Sequence, residues 1–159
     1  MKPILGYDYL WLNVRVKGGA YGVMNSAGRS GEGYFVSYRD PNLKETDQVF
    51  EGVADYLEQF DADERDMTKY VIGTISDMDT PLLPPYKGAK AVSAWYSGIT
   101  DEMLAEERRQ VLAAQPEDIR ALAKIIRAIL STGSFCVVGN SEKIKENKEL
   151  FGSIKNLFN

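Results

Sequence analysis

The stretch that decides the fold is Val14-Arg15-Val16-Lys17-Gly18-Gly19-Ala20-Tyr21-Gly22, because it joins two different kinds of hydrophobic pattern. The Gly18-Gly19 doublet predicts the end of a helix, since glycine adopts backbone conformations that stop helical hydrogen bonding. Before the doublet, apolar residues recur at steps of three and four, which predicts a helix that carries them on one face. These residues are Tyr7, Leu10, Trp11 and Val14.

Two strands are predicted directly after this junction, over residues 20 to 25 and 32 to 38. The segment between them, residues 26 to 31, is polar and rich in glycine, as is typical of a hairpin loop. So short a connection leaves no room for a crossover, and the pairing is therefore expected to be antiparallel. Alternation places Tyr34, Val36 and Tyr38 on one face and Phe35 and Ser37 on the other.

The rest of the chain is mostly helical in its periodicity. Asp40 and Asn42 are alternative starts for the first of these helices, because each provides an oxygen for the unpaired N–H groups of a first turn. Asp63-Glu64 and Thr100 mark two later starts, and Gly98 and Gly133 mark two ends. The predicted buried stripes are Phe50, Val53, Leu57 and Phe60; Met67, Tyr70, Val71, Thr74, Ile75 and Met78; Ala89, Val92, Trp95 and Tyr96; and Ile119, Leu122, Ile125, Ile126 and Ile129.

A third strand is predicted over residues 134 to 138, and its Cys136 is interpreted as an inert thiol of the core. The order of elements predicts an α+β fold in which helices pack on one face of a mostly antiparallel sheet. Three strands are few for 159 residues, so we expect the sheet to be incomplete. The length and the 44% of hydrophobic residues favour one domain over residues 1–159.

Composition excludes several classes of function. A net charge of -4 argues against nucleic acid as a partner, and no apolar run is long enough to span a membrane. The first residues lack a secretory signal, so we expect a soluble, cytoplasmic chain. The chain contains no histidine and a single cysteine, which excludes histidine-based nucleophile systems, a disulfide within the chain and a thiolate zinc site.

Other candidate motifs have simpler interpretations. The glycines of residues 18 to 22 follow a helix and those of residues 28 to 33 lie between strands, whereas phosphate loops follow a strand and open a helix. Two carboxylate clusters, at residues 61 to 64 and 77 to 79, lie at predicted helix ends, where acidic residues are expected. Lys143, Lys145 and Lys148 are interpreted as the solvated face of a short helix. We therefore expect neither phosphate nor metal binding at these positions.

Arg15 and Tyr21 leave two alternatives open. In one, Arg15 pairs with a nearby carboxylate and Tyr21 packs in the hairpin. In the other, both grip a ligand: the Arg guanidinium donates to backbone carbonyls, the Tyr hydroxyl donates to a carbonyl oxygen, and Gly18 and Gly19 let a second backbone approach closely. Spacing does not choose between these alternatives.

Several blocks of the sequence together resemble the C-terminal part of presequence proteases, which belong to the pitrilysin and insulysin class of zinc metallopeptidases. The blocks are Leu10-Trp11, residues 14 to 22, Ser37-Tyr38-Arg39-Asp40-Pro41-Asn42, Ile72-Gly73-Thr74-Ile75, Lys87-Gly88 and Gly98-Ile99-Thr100. The resemblance implies a clamshell enzyme whose zinc is held by an inverted His-x-x-Glu-His motif in the N-terminal half. It also implies that Arg15 and Tyr21 reach the bound peptide, with Tyr21 donating to the carbonyl oxygen during cleavage.

The resemblance implies that this chain is the distal part of the last domain of such an enzyme, within a pitrilysin-like metallohydrolase domain. We expect no cofactor in this chain and zinc in the parent enzyme, peptide as substrate, the N-terminal zinc-bearing domains as partner, and no cleavage by the chain alone. A cut before Met1 would leave a sheet edge uncovered, so self-association through that edge is expected. The alternatives are a stand-alone, non-enzymatic peptide-binding module and a catalytically inactive structural subunit.

Overall fold

The computed structural model describes residues 1–29 and 31–157, which form two compact units. The first unit contains Met1–Gln59 and the segment from Ala121 onward, and the second contains Phe60–Arg120. In the described residues no helix is both long and apolar enough to cross a bilayer.

The N-terminal helix, α1, has wider turns than an α-helix. It begins with the α-helical turn Lys2–Ile4 and continues as two π-helical segments, Leu5–Tyr9 and Trp11–Lys17. Its buried side chains are Ile4, Leu5, Leu10 and Val14, at steps of one, five and four. The predicted face is therefore wrong for two members: Tyr7 is 75% exposed and Trp11 also faces solvent. Steps of three and four assume α-helical turns, whereas hydrogen bonds to the fifth residue rotate these side chains outward.

The glycine doublet ends α1 as predicted. Gly19 has a φ of +80°, a left-handed conformation that glycine adopts without steric cost. The chain turns back there, so the N–H of Gly19 donates to the Arg15 carbonyl at 2.9 Å and that of Ala20 donates to the Val14 carbonyl at 3.1 Å. The Asn42 side-chain amide donates to the Gly18 carbonyl at 2.6 Å. These bonds satisfy carbonyls that the end of the helix would otherwise leave unpaired.

The predicted antiparallel hairpin is confirmed. Strand β1 spans Gly22–Ala27 and strand β2 spans Gly33–Tyr38, with Met24 opposite Val36. Strand β1 begins two residues later than predicted and ends two residues later, inside the predicted loop, whereas β2 begins one residue later than predicted and ends where predicted. The N–H of Gly28 donates to the Glu32 carbonyl at 2.8 Å across the connection, in which Ser30 lies outside the described residues.

Helices cover only one face of this hairpin, as the predicted α+β class requires. On the covered face Asn25 is buried, the Phe35 ring stacks on Phe50 with centroids 5.6 Å apart, and Gly33 lies against Ile129. The opposite face exposes Met24, Tyr34, Val36 and Tyr38. The sheet is open and has two strands, which confirms that it is incomplete.

Three further helices complete the core of the first unit. Helix α2 spans Lys44–Glu51, α3 spans Val53–Glu58 and α8 spans Ala123–Leu130. Helix α8 lies against α3, where Arg127 pairs with Asp55 at 2.8 Å and with Glu58 at 2.7 Å. Of the predicted apolar stripes, Val53, Leu57 and Ile126 are buried in this unit, whereas Ile125 is exposed. Phe60 and Ile119 are buried residues of the second unit.

Neither predicted start of α2 is correct. Leu43 occupies the N-cap position, and no side chain caps the helix there. The Asp40 carboxylate instead accepts from the Asn42 N–H at 2.9 Å and from the Thr46 hydroxyl at 2.8 Å. Asp40 therefore fixes the turn that leads into α2 without occupying its cap.

The second unit contains helices α4, Glu64–Met78, α5, Pro84–Tyr96, and α6, Asp101–Ala113, with α7, Pro116–Ala121, at its end. The predicted caps are confirmed, since Asp63 accepts from the Asp66 N–H at 2.8 Å and Thr100 accepts from the Met103 N–H at 3.3 Å. The predicted inward face of α5 is wrong: Trp95 is 76% exposed and Tyr96 is 79% exposed. The helical spacing of apolar residues predicts an apolar face, but it does not predict whether another part of the chain covers that face.

The predicted third strand is also wrong. Residues 134 to 138 are not a strand, and Cys136 is exposed rather than buried. A strand requires hydrogen bonds from a neighbour, and in the described residues β1 and β2 pair only with each other. Phe135 instead stacks on Phe151, with centroids 5.4 Å apart, after helix α9, Ser141–Glu146, has turned the chain back.

Replacing Gly18 with alanine is expected to destabilise the junction. A Cβ at this position would lie 2.5 Å from the backbone oxygen of Val14, so the backbone must shift at a cost of about 1–3 kcal/mol. Urea unfolding of Gly18→Ala measures this loss. The matched control is Gly88→Ala within α5, where nothing lies within 4 Å and alanine is expected to stabilise the helix by roughly 0.5–1 kcal/mol. Equal unfolding midpoints for the two variants would contradict this account of the junction.

Tyr9 is expected to make stability depend on pH in the alkaline range. Its hydroxyl donates to the Val49 carbonyl at 3.0 Å and its ring stacks on Tyr56, and burial raises the pKa of Tyr9 above its usual value of 10.0. Because the pKa of Tyr9 is higher in the folded state, its contribution is complete below pH 10.0 and is lost as pH rises through the folded-state pKa. Unfolding of Tyr9→Phe should show a flatter decline over this range than the unaltered chain.

Candidate functional site

Two arginines and three aromatic residues meet where α1 joins the hairpin, and we call Trp11, Arg15, Tyr21, Tyr38 and Arg39 the aromatic–arginine cluster. The Arg15 guanidinium carbon lies 4.2 Å from the centre of the Trp11 ring and 5.9 Å from that of Tyr21. The Arg39 guanidinium carbon lies 5.8 Å from the Tyr21 ring centre and 5.4 Å from that of Tyr38. These are the separations at which a cation is attracted to an aromatic face.

The local fold brings these residues together from three places in the chain. Trp11 and Arg15 lie four residues apart in the second π-helical segment, so they are neighbours along one side of α1. The reversal at Gly19 then carries the chain to Tyr21, whose N–H donates to the Tyr38 carbonyl at 3.1 Å. The rings of Tyr21 and Tyr38 meet edge to face, with centroids 6.0 Å apart.

The backbone of Arg39 is unusual. Its φ of +48° lies in the left-handed region, where it is the only residue other than glycine among those described. This conformation costs a residue with a Cβ about 1–2 kcal/mol. It follows β2 directly, and the Arg39 carbonyl accepts from the Tyr21 N–H at 3.3 Å. The turn thus returns the arginine side chain to the aromatic rings.

Neither arginine of the cluster pairs with an acidic group in the described part of the chain. In the described part of the chain no carboxylate lies within ion-pair distance of Arg15 or Arg39. The carboxylate nearest in sequence, that of Asp40, accepts hydrogen bonds from Asn42 and Thr46. Both arginines are exposed, as is Tyr21 at 63%. Guanidinium donors and a tyrosine hydroxyl are therefore available to an approaching ligand.

Gly18 and Gly19 have a local structural explanation. Gly18 packs so closely on the Val14 carbonyl that a Cβ does not fit, and the φ of Gly19 requires glycine for the reversal. Both requirements come from the chain's own backbone. A contact of these glycines with substrate stays a prediction.

The described residues do not offer a metal site. Across residues 1–29 and 31–157, no three or more His, Cys, Asp or Glu residues are grouped so as to hold an ion. The resemblance implies zinc in an N-terminal half, and this sequence has no histidine with which to form the inverted His-x-x-Glu-His motif.

The structure places three further residues beside Arg15 and Tyr21, two of the four site residues predicted from the sequence. Trp11, Tyr38 and Arg39 belong to the sequence blocks quoted above, but no functional role followed from their spacing. The i to i+4 relation of Trp11 to Arg15 was a usable signal for stacking on a helix surface. The contact of Arg39 with Tyr21 was not, because it depends on the pairing of two strands and on one left-handed residue.

Comparison with known proteins gives consistent results. The family described as the PreP C-terminal domain matches residues 2–142. Protein HypA of Clostridium perfringens is 49% identical over 157 residues, which cover 99% of this chain and 16% of that protein. Presequence protease 1, chloroplastic/mitochondrial, of Arabidopsis thaliana is 36% identical over 86% of this chain and 13% of its own length. The mitochondrial presequence protease of Schizosaccharomyces pombe is 30% identical over 78% of this chain and 12% of its own length.

Trp11 and Arg15 are expected to be energetically coupled. A double-mutant cycle of Trp11→Leu and Arg15→Gln, followed by urea unfolding, should give a coupling energy of about 0.5–1 kcal/mol for the stacked pair. The matched control pairs Arg15→Gln with Trp95→Leu, a tryptophan of the second unit whose ring meets that of Tyr96, and these two changes should act additively. Additive effects in both cycles would show that the stacking holds Arg15 only weakly.

Proposed function

Because this chain belongs to the PreP C-terminal domain family, we propose that it is the substrate-enclosing, distal part of the last domain of a clamshell peptidase that degrades oligopeptides. The chain spans between 12% and 16% of the length of the relatives described above, which supports a role as one part of a longer protein. Two of these relatives are named as presequence proteases, which supports peptide as the substrate.

In this proposal Arg15 and Tyr21 contact the bound peptide. The observation that carries it is the convergence of both side chains on one exposed surface, without a carboxylate partner for Arg15 among the described residues. A guanidinium donates to backbone carbonyls in a fixed, forked geometry, which holds a peptide in register. The Tyr21 hydroxyl donates to the carbonyl oxygen under attack and stabilises the negative charge that develops on it.

The proposal assigns the metal to another part of the protein. Zinc would be held by N-terminal domains, and this chain alone would not cleave peptides. The same surface would also serve a non-enzymatic module that only binds peptides. The two functions differ in whether Tyr21 affects the chemical step or binding alone.

Peptide cleavage by the longer protein in which we place this chain tests the proposal. Arg15→Ala and Tyr21→Phe are each expected to reduce turnover, on the order of 100-fold for the loss of a donor to the developing charge. Arg65→Ala and Tyr86→Phe are matched controls on exposed residues of the second unit and should leave turnover unchanged. Unaltered turnover in both cluster variants would refute the roles given to Arg15 and Tyr21. A loss of binding with an unchanged chemical step would favour the binding module.

A further inference from the structure

We propose that Arg39 is a second peptide-contacting residue, which with Arg15 forms a carboxylate-binding subsite across the Tyr21 ring. This inference rests on the proposed function, since it requires that a peptide lie over the aromatic–arginine cluster. It adds a preference for one chemical class of ligand, a peptide that carries a carboxylate at this position.

Both arginines of the cluster lie beside one ring, that of Tyr21. The guanidinium carbon of Arg15, a residue of α1, lies 5.9 Å from the centre of the Tyr21 ring. That of Arg39, which follows β2, lies 5.8 Å from the same centre. Each guanidinium group also lies close to a second ring, that of Trp11 at 4.2 Å for Arg15 and that of Tyr38 at 5.4 Å for Arg39. Attraction to the aromatic rings orients both cations while leaving N–H donors exposed for a ligand.

The positive charge of Arg15 and Arg39 is not compensated within the described residues. The chain as a whole carries a net charge of -4, yet no described carboxylate lies within ion-pair distance of either cluster arginine. Asp40, the carboxylate adjacent to Arg39 in sequence, is turned toward Asn42 and Thr46. Other exposed arginines of the chain do have acidic partners, including Arg108 with Asp79 and Arg127 with Glu58. Two positive charges beside one ring, with no carboxylate counterion among the described residues, favour a carboxylate ligand, which accepts paired hydrogen bonds from guanidinium groups.

Arg39 has an unfavourable backbone conformation for a residue with a side chain. Its left-handed conformation would suit glycine or asparagine better than arginine, so this position retains a long cation at a cost in conformational free energy. The cost is consistent with a requirement for the side chain itself. Packing alone does not account for it, because Arg39 is exposed and its neighbour Tyr38 is 52% exposed.

A peptide carries carboxylates from two sources, its C-terminus and its Asp or Glu side chains. Both present the same two oxygens to a guanidinium group, so the subsite is defined by the carboxylate and the experiment separates the sources. Three versions of one short neutral peptide serve as probes. The first has an amidated C-terminus, the second has a free C-terminus, and the third is amidated with one Gln replaced by Glu.

The test is titration of the full chain with each peptide, measured by calorimetry and by Trp11 fluorescence in a Trp95→Phe background that leaves Trp11 as the only tryptophan. We expect tighter binding of at least one carboxylate-bearing peptide than of the neutral one. Arg39→Asn should remove this preference. It should weaken binding of the carboxylate-bearing peptide roughly tenfold and leave binding of the neutral peptide unchanged. Asparagine tolerates the left-handed backbone, so the variant keeps the turn and loses only the charge. Arg39→Lys should retain part of the preference, and Arg65→Asn should leave all affinities unchanged.

The outcomes separate the subsite from the function on which it rests. Equal binding of the three peptides by the unaltered chain, or an unchanged preference in Arg39→Asn, would overturn the subsite. If the peptides bind and Arg15→Ala weakens them without any preference for a carboxylate, only the subsite fails. If none of the three peptides binds, the proposed peptide contact fails and the subsite fails with it. A preference that disappears in Arg39→Asn and weakens at high ionic strength supports the proposal.

Discussion

The reversal of the backbone at Gly18 and Gly19 is the constraint on which the first unit depends. A left-handed residue there lets the last carbonyls of α1 accept from Gly19 and Ala20, and it sends the chain directly into the hairpin. The side-chain amide of Asn42, which follows β2 in the chain, donates to the Gly18 carbonyl of the same turn. Helix α1, the hairpin and the entry to α2 therefore meet at one point. The aromatic–arginine cluster lies at this meeting point, and its geometry follows from the turn.

Among the described residues, at least two apolar surfaces face solvent. One is the outer face of the hairpin, with Met24, Val36 and Tyr38, and another is the stripe of α5, with Trp95 and Tyr96. Burying such side chains typically contributes about 1.5–3 kcal/mol each, so their exposure forgoes considerable stabilisation. Such surfaces are typical of sites of contact with other protein. They are consistent with a chain that spans a small part of the length of its relatives.

The cluster combines orientation with available charge. Aromatic rings hold the guanidinium groups of Arg15 and Arg39 in place, and the Asp40 carboxylate, next to Arg39 in sequence, accepts from Asn42 and Thr46 instead. An arginine already paired with a carboxylate would have to lose that partner before it could bind a ligand. Here the described residues impose no such cost, which is the physical basis for proposing the surface as a contact for peptide.

Local patterns in the sequence determined the hairpin, the caps at Asp63 and Thr100, the helix end at Gly19 and the α+β class. Each of these depends on neighbours within a few residues, where backbone preferences and hydrogen-bonding side chains act directly. Sequence also selected Arg15 and Tyr21, through the resemblance of ordered blocks rather than through spacing.

Tertiary structure decided burial and long-range contacts, which local sequence preferences do not specify. The π-helical turns of α1 moved Trp11 to the surface beneath Arg15, and the lack of a third strand among the described residues left Cys136 exposed. The meeting of Arg39 with Tyr21 required strand pairing and a strained residue together. Burial and long-range contacts depend on which surfaces the rest of the chain supplies, and a periodic pattern records only that a surface is needed.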